Sequence, residues 1–229
     1  MSLDFSPWVP PSITIQHSVD RFPVRRIYTI GRNYSDHAAE TGLGNNGASV
    51  PGVSLKPADS VIGNHDTLIY PPATQHLDPE VEMVIAIGTA GNNIEPENAL
   101  EHIFGYAVGL DVIRRDVMRE CIANEHSWDL CKSFSGASPV GDIASASDIG
   151  HPINGEISLR VNGELRQAGD IASLIWNPAN IVSNLSRYGT LEPGDLIFTG
   201  TPKGPRPVER GDLLEASMAG VGFLNVRVG

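Results

Sequence analysis

Basic residues are scarce in this chain of 229 residues: 16 Lys plus Arg stand against 27 Asp plus Glu, a formal charge of −11. That balance gives no background attraction for phosphate backbones or anionic membranes, so nucleic acid and membrane surfaces drop out as partners. Cysteine is scarcer still. Cys121 and Cys131 are the whole complement, which makes neither a disulfide framework nor a close-spaced thiolate metal pair; both read as packed thiols in a reducing cytoplasm. No apolar run reaches the roughly 18 residues of a bilayer span. The opening MSLDFSPWVPPS lacks the basic region and apolar core of a signal peptide, so a soluble cytoplasmic protein is expected. Also missing are a Gly-x-x-x-x-Gly-Lys-Ser/Thr loop, a strand-linked Gly-x-Gly-x-x-Gly, a Gly-x-Ser-x-Gly elbow and a His-Glu-x-x-His helix. Nucleotide, flavin and serine-hydrolase chemistries lose support accordingly.

Turn formers and a core are what the chain does have. Gly (24) and Pro (17) are in excess and 41% of residues are hydrophobic, which suits one domain with many short elements. Pro7, Pro10, Pro11 and Pro23 make residues 1–24 an extended arm, with one strand around Ile13 to Gln16. Residues 25–229 then read as a single α+β domain dominated by β structure. Arg26 to Ile30 is a strand, and Asn33 to Gly42 a short helix capped by Asn33 with Gly42 at its exit. The polar loop from Gly42 to Gly52 is long enough for a lid. Val81 to Ile87 and Gly105 to Val112 are strands. Pro96, Leu100, Ile103 and Phe104 carry the spacing of an amphipathic helix. Asn162-Gly163 predicts a type I′ hairpin turn, and Asn177-Pro178 opens a helix lined by Ile181, Leu185 and Tyr188. Strands return at Leu196 to Thr199, Leu213 to Met218 and Val221 to Val228.

Five features carry chemistry. Glu80 and Glu82 lie two apart on a strand and so share a face; a hard divalent cation between them would remove their repulsion, and a solvated edge is the alternative. Asp111 sits inside an apolar run, where a buried carboxylate needs a partner: a metal, or a salt bridge to Arg114 or Arg115. His37 and Glu40 are three apart on one helix face, so the carboxylate can orient the imidazole as a general base, or the two form an ordinary surface pair. Lys132 is a lone cation whose default is solvent, and the turn Thr199 to Gly204 offers amides and hydroxyls for an anion, or is simply a turn.

Taken in order, these pieces resemble the fumarylacetoacetate hydrolase family. The segments that carry the likeness are Gly31-Arg32-Asn33-Tyr34-Ser35-Asp36-His37-Ala38-Ala39-Glu40, Asp78-Pro79-Glu80-Val81-Glu82 and Asp111-Val112-Ile113-Arg114-Arg115-Asp116. Lys132-Ser133-Phe134, Pro193-Gly194-Asp195-Leu196-Ile197 and Thr199-Gly200-Thr201-Pro202 complete the set, spanning about residues 25 to 229. Arg21-Phe22-Pro23-Val24-Arg25-Arg26-Ile27-Tyr28 further resembles the fumarylpyruvate hydrolase branch of gentisate-type aromatic degradation. The resemblance implies a roll of packed mixed sheets with a few short helices, and a homodimer with Mg²⁺ or Mn²⁺, Ca²⁺ serving as a substitute, on Glu80, Glu82 and Asp111. It implies a small 2,4-diketo acid substrate, His37 and Glu40 to activate water, Lys132 to stabilise the leaving enolate, and Arg32, Arg115 and Thr201 to bind substrate. Decarboxylation or tautomerisation of a 2-keto diacid such as oxaloacetate is the rival on the same scaffold, and a non-catalytic metal or keto-acid binding protein is a rival of another class. Two departures stand out: Met118 where the family commonly has Gln, and Gly204-Pro205-Arg206-Pro207 in place of Gly-Val-Gly, with Arg206 as an added anion contact.

Overall fold

A computed structural model describes residues 7–40 and 51–229, Ala38 and Glu40 by backbone alone. The arm forms a hairpin, β1 (Ser12–Thr14) against β2 (Arg21–Pro23), followed by β3 (Arg26–Gly31), helix α1 (Ser35–Glu40) and β4 (Gly52–Lys56). Short strands β5 (Val61–Ile62) and β6 (Thr67–Leu68) lead into two long ones, β7 (Leu77–Ile87) and β8 (Ile103–Arg114). Helices α2 (Arg115–Ala123) and α3 (Asp129–Lys132), strands β9 (Ser138–Pro139) and β10 (Ala144–Ser145), and helix α4 (Ala146–Ile149) come next. The hairpin β11 (Glu156–Val161) and β12 (Glu164–Asp170), helix α5 (Pro178–Ser186), and strands β13 (Asp195–Phe198), β14 (Leu213–Met218) and β15 (Gly222–Val228) complete the order.

Two mixed sheets dominate, one ordered β10-β8-β7-β13-β3-β4 and the other β12-β11-β14-β15-β6. The central pair β7 and β8 runs antiparallel with Glu80 opposite Asp111, Glu82 opposite Gly109 and Val84 opposite Ala107. Residues directly opposite share a face, so all three acids project from one side. The other side carries Val81, Met83, Ile85, Leu110, Val108 and Tyr106 into the main core, against Leu159, Leu214 and Leu224 of the second sheet. The acid-bearing face is not solvated either: further along it, Val84, Ala86, Ala107 and Phe198 pack on Ile13, Phe22 and Val24 of the arm. Every residue of β7 is therefore buried, and a wet edge for Glu80 and Glu82 is ruled out. Gly109, opposite Glu82, has no room for a side chain, since a Cβ would lie 2.6 Å from Val84 and 2.8 Å from the Phe198 ring.

The Asn162-Gly163 turn has positive φ at both residues, 52° and 79°, the type I′ geometry expected. Asn177 caps α5 by accepting from the Asn180 amide at 2.9 Å. Three local expectations need correction. Pro96–His102 is a 3₁₀ segment, and Ile103 and Phe104 open β8: their helical spacing arose from two elements meeting. Tyr188 lies beyond α5 and is 76% exposed. Asn33 does not cap α1; its side-chain amide donates to Trp176 O and Thr199 O, and its Oδ1 accepts from Trp176 N, tying together three segments distant in sequence. The loop expected to act as a lid falls mostly on residues 41–50, outside the described residues. No helix among the described residues is long and apolar enough to cross a membrane.

Candidate metal centre and cavity

One carboxylate oxygen each from Glu80, Glu82 and Asp111 lie within 4.8 Å of one another, and all three residues are buried. The donor set is all oxygen and trianionic, which fits a hard divalent cation such as Mg²⁺ or Mn²⁺. Each acid has its own orienting donor. Arg115 donates from Nη2 to Glu80 Oε1 at 2.5 Å and from Nε to Asp78 Oδ2 at 2.8 Å. The Gly200 amide donates to Glu82 Oε2 at 2.5 Å. Lys56 and Lys132 donate to the two oxygens of Asp111 at 2.5 and 2.6 Å. The alternative of a salt bridge from Asp111 to Arg114 or Arg115 gives way to a pair of lysines, and Lys132 is buried rather than solvated.

The turn Thr199 to Gly204 does hold an anion, and the anion is Glu82. Gly200 takes φ +102°, and a Cβ there would stand 2.7 Å from Asn33 Cβ, so this close approach requires glycine. Gln167 of β12 buttresses the turn, donating to Thr201 Oγ1 at 2.9 Å and Pro202 O at 2.8 Å while accepting from Val81 N at 3.0 Å. Gln167 was not singled out in the sequence; a buried amide with three partners is recognisable only once the second sheet is in place.

A cavity of about 930 Å³ opens beside the acids, lined among others by Arg32, His37, Glu80, Glu82, Arg115, Met118, Trp128, Lys132 and Thr201. His37 is buried on α1. The side chain of Glu40 lies outside the described residues. Arg115 reaches the cavity already engaged by two carboxylates, and its Nη1 donates to Met118 Sδ at 3.3 Å. Arg206 is exposed and is absent from the lining, which corrects its assignment as an anion contact. Cys131 is packed as expected, its thiol pushed up to about 11 by burial.

Burial, then Asp111 and Glu80, push the Glu82 carboxyl well above its ordinary range, and Lys132 and the Gly200 amide only partly offset them. Burial also raises Asp111, but Lys132 and Lys56 outweigh it and hold that carboxyl down at about 2. The two make opposite contributions to stability. Asp111 stabilises above its ordinary 3.8, a contribution lost as pH falls toward about 2. Glu82 favours the fold below its ordinary 4.5, a contribution lost as pH rises through the raised range. Between pH 5 and 8 the melting temperature of EDTA-treated protein is therefore expected to fall relative to that of Glu82→Gln. Parallel calorimetric profiles for the two proteins would show that Glu82 is an ordinary carboxylate.

The chain belongs to the fumarylacetoacetate hydrolase family: the family profile for the fumarylacetoacetate (FAA) hydrolase C-terminal region matches residues 26–229. Among solved structures, it is similar to the fumarylpyruvate hydrolase of Pseudomonas aeruginosa in complex with Mn²⁺ and pyruvate. The two are 44% identical with a TM-score of 0.95, covering 99% of each chain. Likeness extends to the 5-carboxymethyl-2-hydroxymuconate delta-isomerase of Mycobacterium smegmatis, at 31% identity and a TM-score of 0.81, covering 91% of this chain and 80% of that one. The mitochondrial oxaloacetate tautomerase FAHD1 of Mus musculus is 37% identical, covering 89% of this chain and 91% of the relative.

Proposed function

We propose that the protein is a divalent-metal-dependent hydrolase of 2,4-diketo acids, converting fumarylpyruvate and water to fumarate and pyruvate. The observation that carries this reading is the buried trio Glu80, Glu82 and Asp111 beside a cavity that also holds His37 and Lys132. The similarity to a fumarylpyruvate hydrolase with Mn²⁺ and pyruvate points to the substrate. Glu80, Glu82 and Asp111 would hold Mg²⁺ or Mn²⁺, which would supply electrostatic stabilisation for developing negative charge. His37 takes a proton from the attacking water, whose oxygen joins the acyl carbon as the carbon–carbon bond breaks. The electron pair of that bond leaves with the pyruvyl fragment, beside the Lys132 ammonium, and the proton taken up by His37 is returned to that fragment's methylene carbon, completing pyruvate. Arg32, Arg115 and Thr201 line the same cavity and bind the substrate's oxygens.

A second reading, tautomerisation of oxaloacetate, is favoured by the 37% identity to the mouse tautomerase. Incubation with Mn²⁺ and fumarylpyruvate, maleylpyruvate, acetylpyruvate or oxaloacetate separates the two. Loss of enol absorbance with equimolar fumarate and pyruvate is the expected result. Accelerated keto–enol exchange of oxaloacetate with no cleavage of any diketo acid would sink the hydrolase reading.

A further inference from the structure

Lys56 belongs to none of the segments that carry the family likeness, yet its side chain is fully enclosed. On β4, Val53 and Leu55 stand 42% and 53% exposed along the cavity while Lys56 is 2% exposed. Taking a lysine ammonium out of water is costly, so the lysine must meet strong acceptors inside. It does. Besides Asp111 Oδ1, its Nζ donates to Ala137 O at 2.5 Å and Val112 O at 3.5 Å; three acceptors match the three hydrogens of an ammonium group. Lys132, on the other Asp111 oxygen, faces the cavity, and its further polar partner is Thr29 Oγ1 at 3.5 Å. Lys56 is anchored to backbone carbonyls, and Lys132 stands at the cavity wall.

We propose that Lys56 is a positioning residue for the metal centre: by holding Asp111 Oδ1 it fixes the carboxylate so that Oδ2 is presented to Glu80 and Glu82. It would do for Asp111 what Arg115 does for Glu80 and the Gly200 amide for Glu82. The inference rests on the metal reading above but not on the identity of the substrate.

Lys56→Met and Lys56→Gln, in the full chain stripped with EDTA, are titrated with Mn²⁺ by the resonance signal of the free ion, at a temperature where circular dichroism shows both folded. Lys56→Met is expected to bind Mn²⁺ about 10–100-fold more weakly, the usual effect of removing a group that orients a ligand; Lys56→Gln, which keeps a donor, should lose less. Leu214→Ala, on the core face of the second sheet, should melt lower yet bind Mn²⁺ like the wild type, which a purely structural role for Lys56 would not predict. Wild-type Mn²⁺ affinity in folded Lys56→Met overturns the proposal. So does an equal loss of affinity in Leu214→Ala. If Lys56→Met does not fold, wild-type affinity in Lys56→Gln decides against it. Failure of the wild type itself to bind Mn²⁺ removes the metal reading and this inference together, whereas cleavage of a different substrate leaves it standing.

Discussion

Replacing Glu82 by Gln is expected to raise the stability of the metal-free protein and to abolish its stabilisation by Mn²⁺, two changes of opposite sign from one atom. Gln keeps an oxygen for the Gly200 amide, so the turn that carries Thr201 stays in place. What disappears is a buried negative charge facing two others, the charge that burial, Asp111 and Glu80 already disfavour. Without a cation that charge is a liability, and its removal should raise the melting temperature. With Mn²⁺ at a hundred times its Kd, the wild type gains roughly 2.7 kcal/mol by mass action. At about 2–4 °C per kcal/mol for a chain of this size, that is a rise of roughly 5–11 °C. Glu82→Gln should show about 2 °C or less under the same conditions, a shift on the scale of weak residual binding. Turnover should fall by about 10²–10³-fold or more, the scale of losing charge stabilisation at a developing oxyanion. Melting curves with and without Mn²⁺, read beside initial rates, check all three. An undiminished Mn²⁺ shift in the variant would remove Glu82 from the ligand set.

Glu80 and Glu82 were legible in the sequence because the signal is local: a strand has a period of two, so their spacing alone puts them on one face. Asp111 was legible as an oddity, an acid in an apolar run. Their partners were not legible, because each comes from far along the chain. Asp111 is held by Lys56 at a separation of 55 residues, and Lys56 closes a strand whose alternation would ordinarily place it in solvent. The nearer candidates Arg114 and Arg115 were favoured by sequence distance. Yet Arg114 donates to Leu130 O and Arg115 serves Asp78 and Glu80. Asn33 shows the same limit: its position before a short helix matches a cap, while its amide is used by carbonyls 143 and 166 residues away. Strands and hairpin turns were recovered well because alternation and the Asn-Gly pair are properties of adjacent residues. The helix expected from Pro96 to Phe104 failed for the complementary reason, since its apolar spacing bridged a 3₁₀ segment and the first residues of β8.

Replacing Lys132 by Met is expected to lower kcat by about 10²–10³-fold while leaving Mn²⁺ binding intact, separating its role from that of the acids. Burial alone would drive the Lys132 ammonium toward the neutral amine, but Asp111, then Glu80 and Glu82, reverse this and hold its pKa above the ordinary lysine value. Near neutral pH Lys132 is therefore a fixed positive charge at the cavity wall, and a poor nucleophile. That distinction matters because a buried lysine beside a keto acid could otherwise form a Schiff base. In the proposed reaction its contribution would be to meet negative charge on the departing pyruvyl fragment, an interaction strongest in the transition state, so the loss should fall on kcat with little change in KM. Mn²⁺ affinity should hold or rise, since a cation is removed from Asp111 Oδ2 while Lys56 still occupies Oδ1. Lys132→Arg should not restore the rate, because a planar guanidinium cannot reproduce a compact ammonium in a space this closed. The chemical counterpart is borohydride reduction in the presence of pyruvate: no covalent adduct at Lys132 and no loss of activity are expected. A trapped pyruvyl adduct on Lys132 would replace electrostatic stabilisation with imine catalysis as the role of this side chain.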